Sequence, residues 1–82
     1  MHLEIITPEK KLFEGEIKLI KVPGSKGSFE LLKNHAPIIS TLEKGVVKII
    51  NPEGLETFFN IGGGVIEAKE NNIILLAESV QV

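Results

Sequence analysis

Turn signals recur along this chain at nearly even intervals, and no other feature restricts its fold as strongly. They fall at Pro23-Gly24, Lys33-Asn34, Lys44-Gly45, Asn51-Pro52-Glu53-Gly54, Gly62-Gly63-Gly64 and Glu70-Asn71-Asn72. Glycine and asparagine tolerate positive φ and proline presets it, so each cluster is a place where an extended chain reverses. A spacing of about 8–12 residues is that of an all-β sandwich or barrel. Nothing between the turns holds a helical apolar period long enough to count as a helix.

The intervening segments read as strands. Residues 3–6 form a short first one, stopped by Thr7-Pro8. Residues 12–22 alternate, with Phe13, Ile17 and Leu19 on one face and Glu14, Glu16 and Lys18 on the other. Ile20 and Val22 then reverse the phase, which predicts a bulge or a crossing between two sheets near Leu19 and Ile20. Gly15 inside this run marks a close backbone approach or a bend. Residues 46–50 and 55–61 read as a hairpin across Asn51-Pro52-Glu53-Gly54, with Val47 and Ile49 facing Phe59 and Ile61. Residues 73–77 are apolar on both faces, the pattern of a strand covered on both sides. In a chain this short, a partner protein can supply the second cover.

With 82 residues there is room for one domain, spanning 1–82, and one core. Nine Lys stand against eleven Glu, with no Arg and no Asp, for a net charge of −2. That balance argues against a nucleic-acid partner, which calls for a basic excess and favours arginine. No cysteine is present, so there is no disulfide framework and no thiolate chemistry. No apolar run approaches the roughly 18 residues of a membrane span, and the first residues lack the pattern of a signal peptide. Contact with a membrane is therefore expected only through partners.

The stretch PGSKGSFELLKNHAPII, residues 23–39, looks most like chemistry. A phosphate loop needs Gly-x-x-x-x-Gly-Lys-Ser/Thr opening a helix. Here Lys26 precedes Gly27 and strand-like sequence follows, so a turn is the better reading. Gly62-Gly63-Gly64 lacks a following helix too, and reads as a flexible connection or bulge. His35 has the pKa range of a general base, but the nearby sequence offers only Asn34, Ser40 and Glu30 as helpers, and no Asp exists. A metal site would have to combine the two histidines with glutamates. Catalysis is not expected, and no cofactor is. Lys44 falls where a hairpin tip is expected, the place of the modified lysine in lipoyl- or biotinyl-type carrier domains. The flanking Asp-Lys-Ala or Met-Lys-Met of those carriers is absent.

An ordered set of motifs resembles a known family. Thr7-Pro8-Glu9-Lys10, Phe13-Glu14-Gly15 and Val22-Pro23-Gly24-Ser25-x-Gly27-x-Phe29 come first. Asn34-His35-Ala36-Pro37-Ile38-Ile39 and Leu42-x-x-Gly45-Val46-Val47-x-Ile49 follow. Phe59-x-Ile61-x-Gly63-Gly64 and Asn72-x-Ile74-x-Leu76-Ala77 complete the series. Together they are similar to the N-terminal β-sandwich of the epsilon subunit of F-type ATP synthase. The family often has Gly at the Glu30 position and Pro at the Lys33 position. Most relatives continue into a C-terminal helical hairpin that can inhibit ATP hydrolysis. The chain here ends at Val82, and on this reading is a naturally short form without the hairpin.

The resemblance implies two packed sheets of about five strands each and a non-catalytic role in ATP synthesis. It implies a subunit of the F1 sector at the foot of the central stalk, peripheral on the cytoplasmic face of the cell inner membrane. It would bind the gamma subunit and the membrane rotor (c) ring, so that ion flow turns both as one body. By position, Gly24, Ser25, Lys26, Gly27, Ser28, Phe29 and Glu30 match the segment that meets the ring. Thr7, His35, Ala36, Pro37, Ile38 and Ser40 match a region that faces gamma, with the 73–77 strand close by.

Overall fold

The structure, a computed structural model, describes residues 1–81. Ten strands follow one another, with no helix among the described residues: β1 (His2–Ile6), β2 (Lys11–Glu16), β3 (Leu19–Val22), β4 (Phe29–Leu32), β5 (Ile38–Leu42), β6 (Gly45–Ile50), β7 (Glu56–Ile61), β8 (Gly64–Lys69), β9 (Asn72–Ala77) and β10 (Val80–Gln81). They make two five-stranded sheets, ordered β2-β1-β9-β8-β5 and β10-β7-β6-β3-β4. The beat of the turns allowed an all-β sandwich or a barrel; the structure is the two-sheet sandwich that the resemblance implied. Every pairing is antiparallel except that of β1 with β9.

Alternation along each strand builds the core. Leu3 and Ile5, Ile20 and Val22, Val47 and Ile49, Ile66 and Ala68, and Ile73 and Leu75 all point between the sheets and are buried. Phe13 and Phe59 meet edge to face across the sandwich, their ring centroids 6.4 Å apart. No polar or charged side chain of the described residues is buried, so burial is not offset by unpaired polar groups.

The crossing between sheets comes earlier than the phase reversal predicts. β2 ends at Glu16, and β3 begins at Leu19 in the other sheet. Ile17 already turns inward, donating its N–H to the Met1 carbonyl at 2.8 Å, and Lys18 N–H joins Ile50 of the second sheet at 2.7 Å. The close approach expected at Gly15 is not found. A Cβ there would meet only the Phe13 ring, at 3.5 Å, and the register shift lies instead between Ile5 and Ile6.

The β6–β7 hairpin forms as expected, with Val47 opposite Phe59; Ile49 lies opposite Thr57, and Ile61 opposite Gly45. Asn51 Oδ1 accepts the N–H groups of Glu53 and Leu55, at 3.0 and 2.9 Å, and Gly54 takes φ +89°. Gly62 and Gly63 carry the chain from β7 back to the first sheet. At Gly64 a Cβ would fall on the Leu76 carbonyl oxygen, so the start of β8 must be glycine to lie against β9. Of the doubly apolar strand β9, only one side is covered. Ile73, Leu75 and Ala77 are buried, and Ile74 and Leu76 face outward.

Candidate partner-binding surface

The loop of residues 23–28 leaves β3 and is fastened to the free edge of β5. Ser25 N–H donates to the Thr41 carbonyl at 3.1 Å, Glu43 N–H donates to the Pro23 carbonyl at 2.9 Å, and Thr41 Oγ1 donates to Ser25 Oγ at 3.0 Å. A turn closes the loop, with Gly27 N–H on the Gly24 carbonyl at 3.0 Å and Gly27 at φ +122°. A Cβ at Gly24 would stand 2.6 Å from Gly27 O and 2.7 Å from the Phe29 ring, so neither glycine is free to change. The backbone is thereby committed to the turn. Ser25, Lys26, Gly27 and Ser28 are left exposed at its tip, Phe29 packs against the core, and Glu30 points out from β4 opposite Lys21.

Residues 33–37 lead into β5. A turn with Asn34 at φ +66° places His35 N–H on the Leu32 carbonyl, at 3.1 Å. His35 Nδ1 lies 2.7 Å from the Ala36 carbonyl, which fixes the proton on Nδ1 in the neutral ring and turns Nε2 outward as an acceptor. Among the described residues the only hydrogen bond of this ring is to the Ala36 carbonyl, so no acid or nucleophile is paired with it as a general base would need. His35, Ala36 and Pro37 are exposed, and Ile38 and Ser40 are half-buried on the inner side of β5. A groove of about 650 Å³ separates β5 from the 24–29 loop, so the two candidate segments share one side of the molecule.

Thr7 is not part of that groove. It caps the β1–β2 connection through its N–H and Oγ1, both donating to the Lys10 carbonyl, at 2.9 and 3.1 Å. Since Ile6 pairs with Leu76 and the β8–β9 turn lies at the other end, Thr7 and His35 sit at opposite corners of the first sheet. What joins these corners is the sheet's outer face. Ile6, Leu76 and Val65 line up across β1, β9 and β8, and Ile74 and Ile39 lie one row along, on either side of Glu67. Leu76 is 50% exposed and Ile39 71%. A cavity of about 420 Å³, lined in part by Ile6, Thr7, Val65 and Leu76, opens on this band.

The same face carries a charged cluster on β1 and β2. Ligand atoms of His2, Glu4 and Glu14 lie within 4.8 Å of one another, the combination of histidine and glutamates a metal would need. Lys11 already supplies a cation there, with Nζ 3.2 Å from Glu4 and 2.8 Å from Glu14. Its hydrogen bonds to Glu14 and then Glu4 raise the Lys11 pKa, and those from Lys11 and then His2 lower that of Glu14. Lys44 is not at a hairpin tip. It lies on the crossover from β5 in one sheet to β6 in the other, so the geometry of a carrier lysine is missing.

Sequence reasoning did not single out Ile6, Val65 or Asn71. Ile6 joins Leu76 through the parallel β1–β9 pairing, which leaves no local mark in the sequence, and Val65 joins it through the antiparallel β8–β9 pairing. Asn71, in the β8–β9 turn, holds the loop that presents His35, and its only sequence signal was its turn propensity.

A family model for the ATP synthase delta/epsilon-chain β-sandwich domain matches residues 1–82. The chain belongs to the ATP synthase delta/epsilon family. Among relatives, the ATP synthase epsilon chain of Chlorobaculum tepidum is 42% identical over 78 residues, covering 95% of this chain and 89% of that one. The epsilon chain of Leptospira borgpetersenii is 41% identical over 95% of this chain, which spans 61% of it. Among solved structures, a chain of the Euglena gracilis mitochondrial ATP synthase superposes with a TM-score of 0.90 at 15% identity. That match covers 96% of this chain and 51% of the Euglena chain. A chain from the central stalk and c-ring of the Tetrahymena thermophila enzyme gives 0.79 at 17% identity, covering 98% and 64%. At such identities the delta/epsilon likeness to these solved chains speaks to the sandwich fold.

Proposed function

We propose that this sandwich is the epsilon-type subunit of the central stalk of an ATP synthase. It binds the gamma subunit and the membrane rotor ring and helps them rotate as one body, so that ion flow drives ATP synthesis. It makes and breaks no bonds itself, and it sits in the F1 sector as a peripheral component on the cytoplasmic face of the inner membrane. The ring would be met by Gly24, Ser25, Lys26, Gly27, Ser28, Phe29 and Glu30. Gamma would be met by His35, Ala36, Pro37, Ile38 and Ser40, and by the outer face of the first sheet that begins at Thr7.

One observation carries this reading beyond family membership. The exposed 25–28 tip is bolted to β5 through Ser25 and Thr41, so torque received at one contact reaches the other through hydrogen-bonded backbone. The apolar band of Ile6, Val65 and Leu76 offers exposed apolar surface for a protein contact. The test is association with a purified gamma–ring assembly, in which Lys26→Glu should weaken the ring contact and Leu76→Ser the gamma contact. Full-strength binding by both variants would contradict the assignment.

A further inference from the structure

We propose that gamma contributes an extended segment that pairs with the open edge of β5 at Ile39, adding a strand to the first sheet. The proposal rests on the reading that this side of the molecule meets gamma.

A sheet edge is a row of unpaired backbone groups, and proteins usually guard it with charge, irregularity or shortness. Three of the four edges here are guarded. β2 carries Lys11, Glu14 and Glu16 and faces a register shift, β4 has four residues and carries Glu30, and β10 has two residues. β5 differs. Its sequence, Ile-Ile-Ser-Thr-Leu, is uncharged, and it pairs with β8 without irregularity from Ile38 to Leu42.

The loop of residues 23–28 covers only one end of that edge. The Thr41 carbonyl and the Glu43 N–H turn toward the loop and are bonded by it. Backbone groups alternate along a strand, so the N–H and C=O of Ile39 face the same open side, as does the N–H of Thr41. None of these three has a hydrogen-bond partner among the described residues. They border the groove of about 650 Å³ described above, and Pro37, with no N–H, bounds the site. The Ile39 side chain projects onto the outer apolar face, so a strand laid here continues that face. An extended protein segment, whose own backbone N–H and C=O groups can pair with these three, fits this seat.

Residue-resolved amide exchange tests this, using the isotope-labelled chain with and without unlabelled gamma. Ser40 N–H, which faces β8, should exchange slowly in both states. Ile39 and Thr41 should exchange quickly in the free chain and slow by about tenfold or more in the complex. Fast exchange at Ile39 and Thr41 within a formed complex would overturn the proposal. Failure of gamma to bind at all would instead sink the reading on which it rests. Slowing that depends on the chain's own concentration, without gamma, would assign the edge to a second copy and overturn gamma as its occupant. Ile39→Pro removes the N–H and Ile39→Ser keeps it, so the proline variant should bind gamma about tenfold more weakly than the serine variant. Equal losses with both variants folded would count against strand pairing.

Discussion

Asn34 and Asn71, 37 positions apart, hold each other through two hydrogen bonds: Asn34 N–H to Asn71 Oδ1 at 2.7 Å, and Asn71 Nδ2–H to Asn34 Oδ1 at 3.1 Å. Both occupy the left-handed region, at φ +66° and +63°. The Asn71 carbonyl also accepts His2 N–H at 2.8 Å, so one turn residue ties together β1 and the loop before β5. Asparagine suits both positions, since it tolerates this φ and its side chain bonds the backbone.

Asn71→Gly keeps the φ and removes the side-chain bonds, and should cost about 1–2 kcal/mol. Asn71→Ala adds the penalty of a Cβ in the left-handed region, about 1–2 kcal/mol more. Urea unfolding measures both. Gamma should also bind these variants less tightly, because the loop carrying His35 loses its anchor.

Leu75 and Leu76 are neighbours in sequence but belong to opposite faces of β9. Leu75→Ala should cost about 2–5 kcal/mol of stability by opening a cavity in the core. Leu76→Ala should change stability by no more than about 0.5 kcal/mol and weaken gamma binding instead. Unfolding and binding titrations of the two variants separate the effects.

Two glycines should respond differently to alanine. Gly54 has positive φ and open space around it, so only conformational cost applies, about 1–2 kcal/mol. Gly64 would drive its Cβ onto the Leu76 carbonyl and separate β8 from β9, costing about 3 kcal/mol or more. Melting temperatures should rank the variants in that order.

Stability should fall at both extremes of pH, for one shared reason. The lowered pKa of Glu14 means its contribution is present above the ordinary glutamate value and lost as pH falls through the lowered one, below roughly pH 4.3. The raised pKa of Lys11 means its contribution is present below the ordinary lysine value and lost as pH rises through the raised one, above roughly pH 10.4. Glu14→Gln should flatten both limbs of the stability profile. The effect is small, because the groups are exposed and screened by salt.

Local pattern told most about this fold. Turn residues marked most of the reversals, and the phase reversal at Leu19 and Ile20 pointed to a bulge or a change of sheet, of which the second occurs, although Ile17 turns inward earlier. Pattern could not tell which strands become neighbours across the sandwich. Lys44 looked like a hairpin tip because the Lys-Gly pair is the same whether the next strand returns to its own sheet or joins the other. The place of Ile6 beside Leu76 in the outer band was hidden for a related reason, since a parallel neighbour needs no turn to announce it. At the candidate surface, Gly24 and Gly27 were legible as turn formers, whereas the edge groups of Ile39 become visible only once β5 is known to end a sheet.

Stoichiometric binding to a purified gamma–ring assembly tests the central claim most directly. At low salt the chain should join the assembly one to one, with reactive groups placed at Lys26 cross-linking to the ring and those at Ile38 cross-linking to gamma. Absence of binding, or cross-links from both positions to neither partner, would contradict the account.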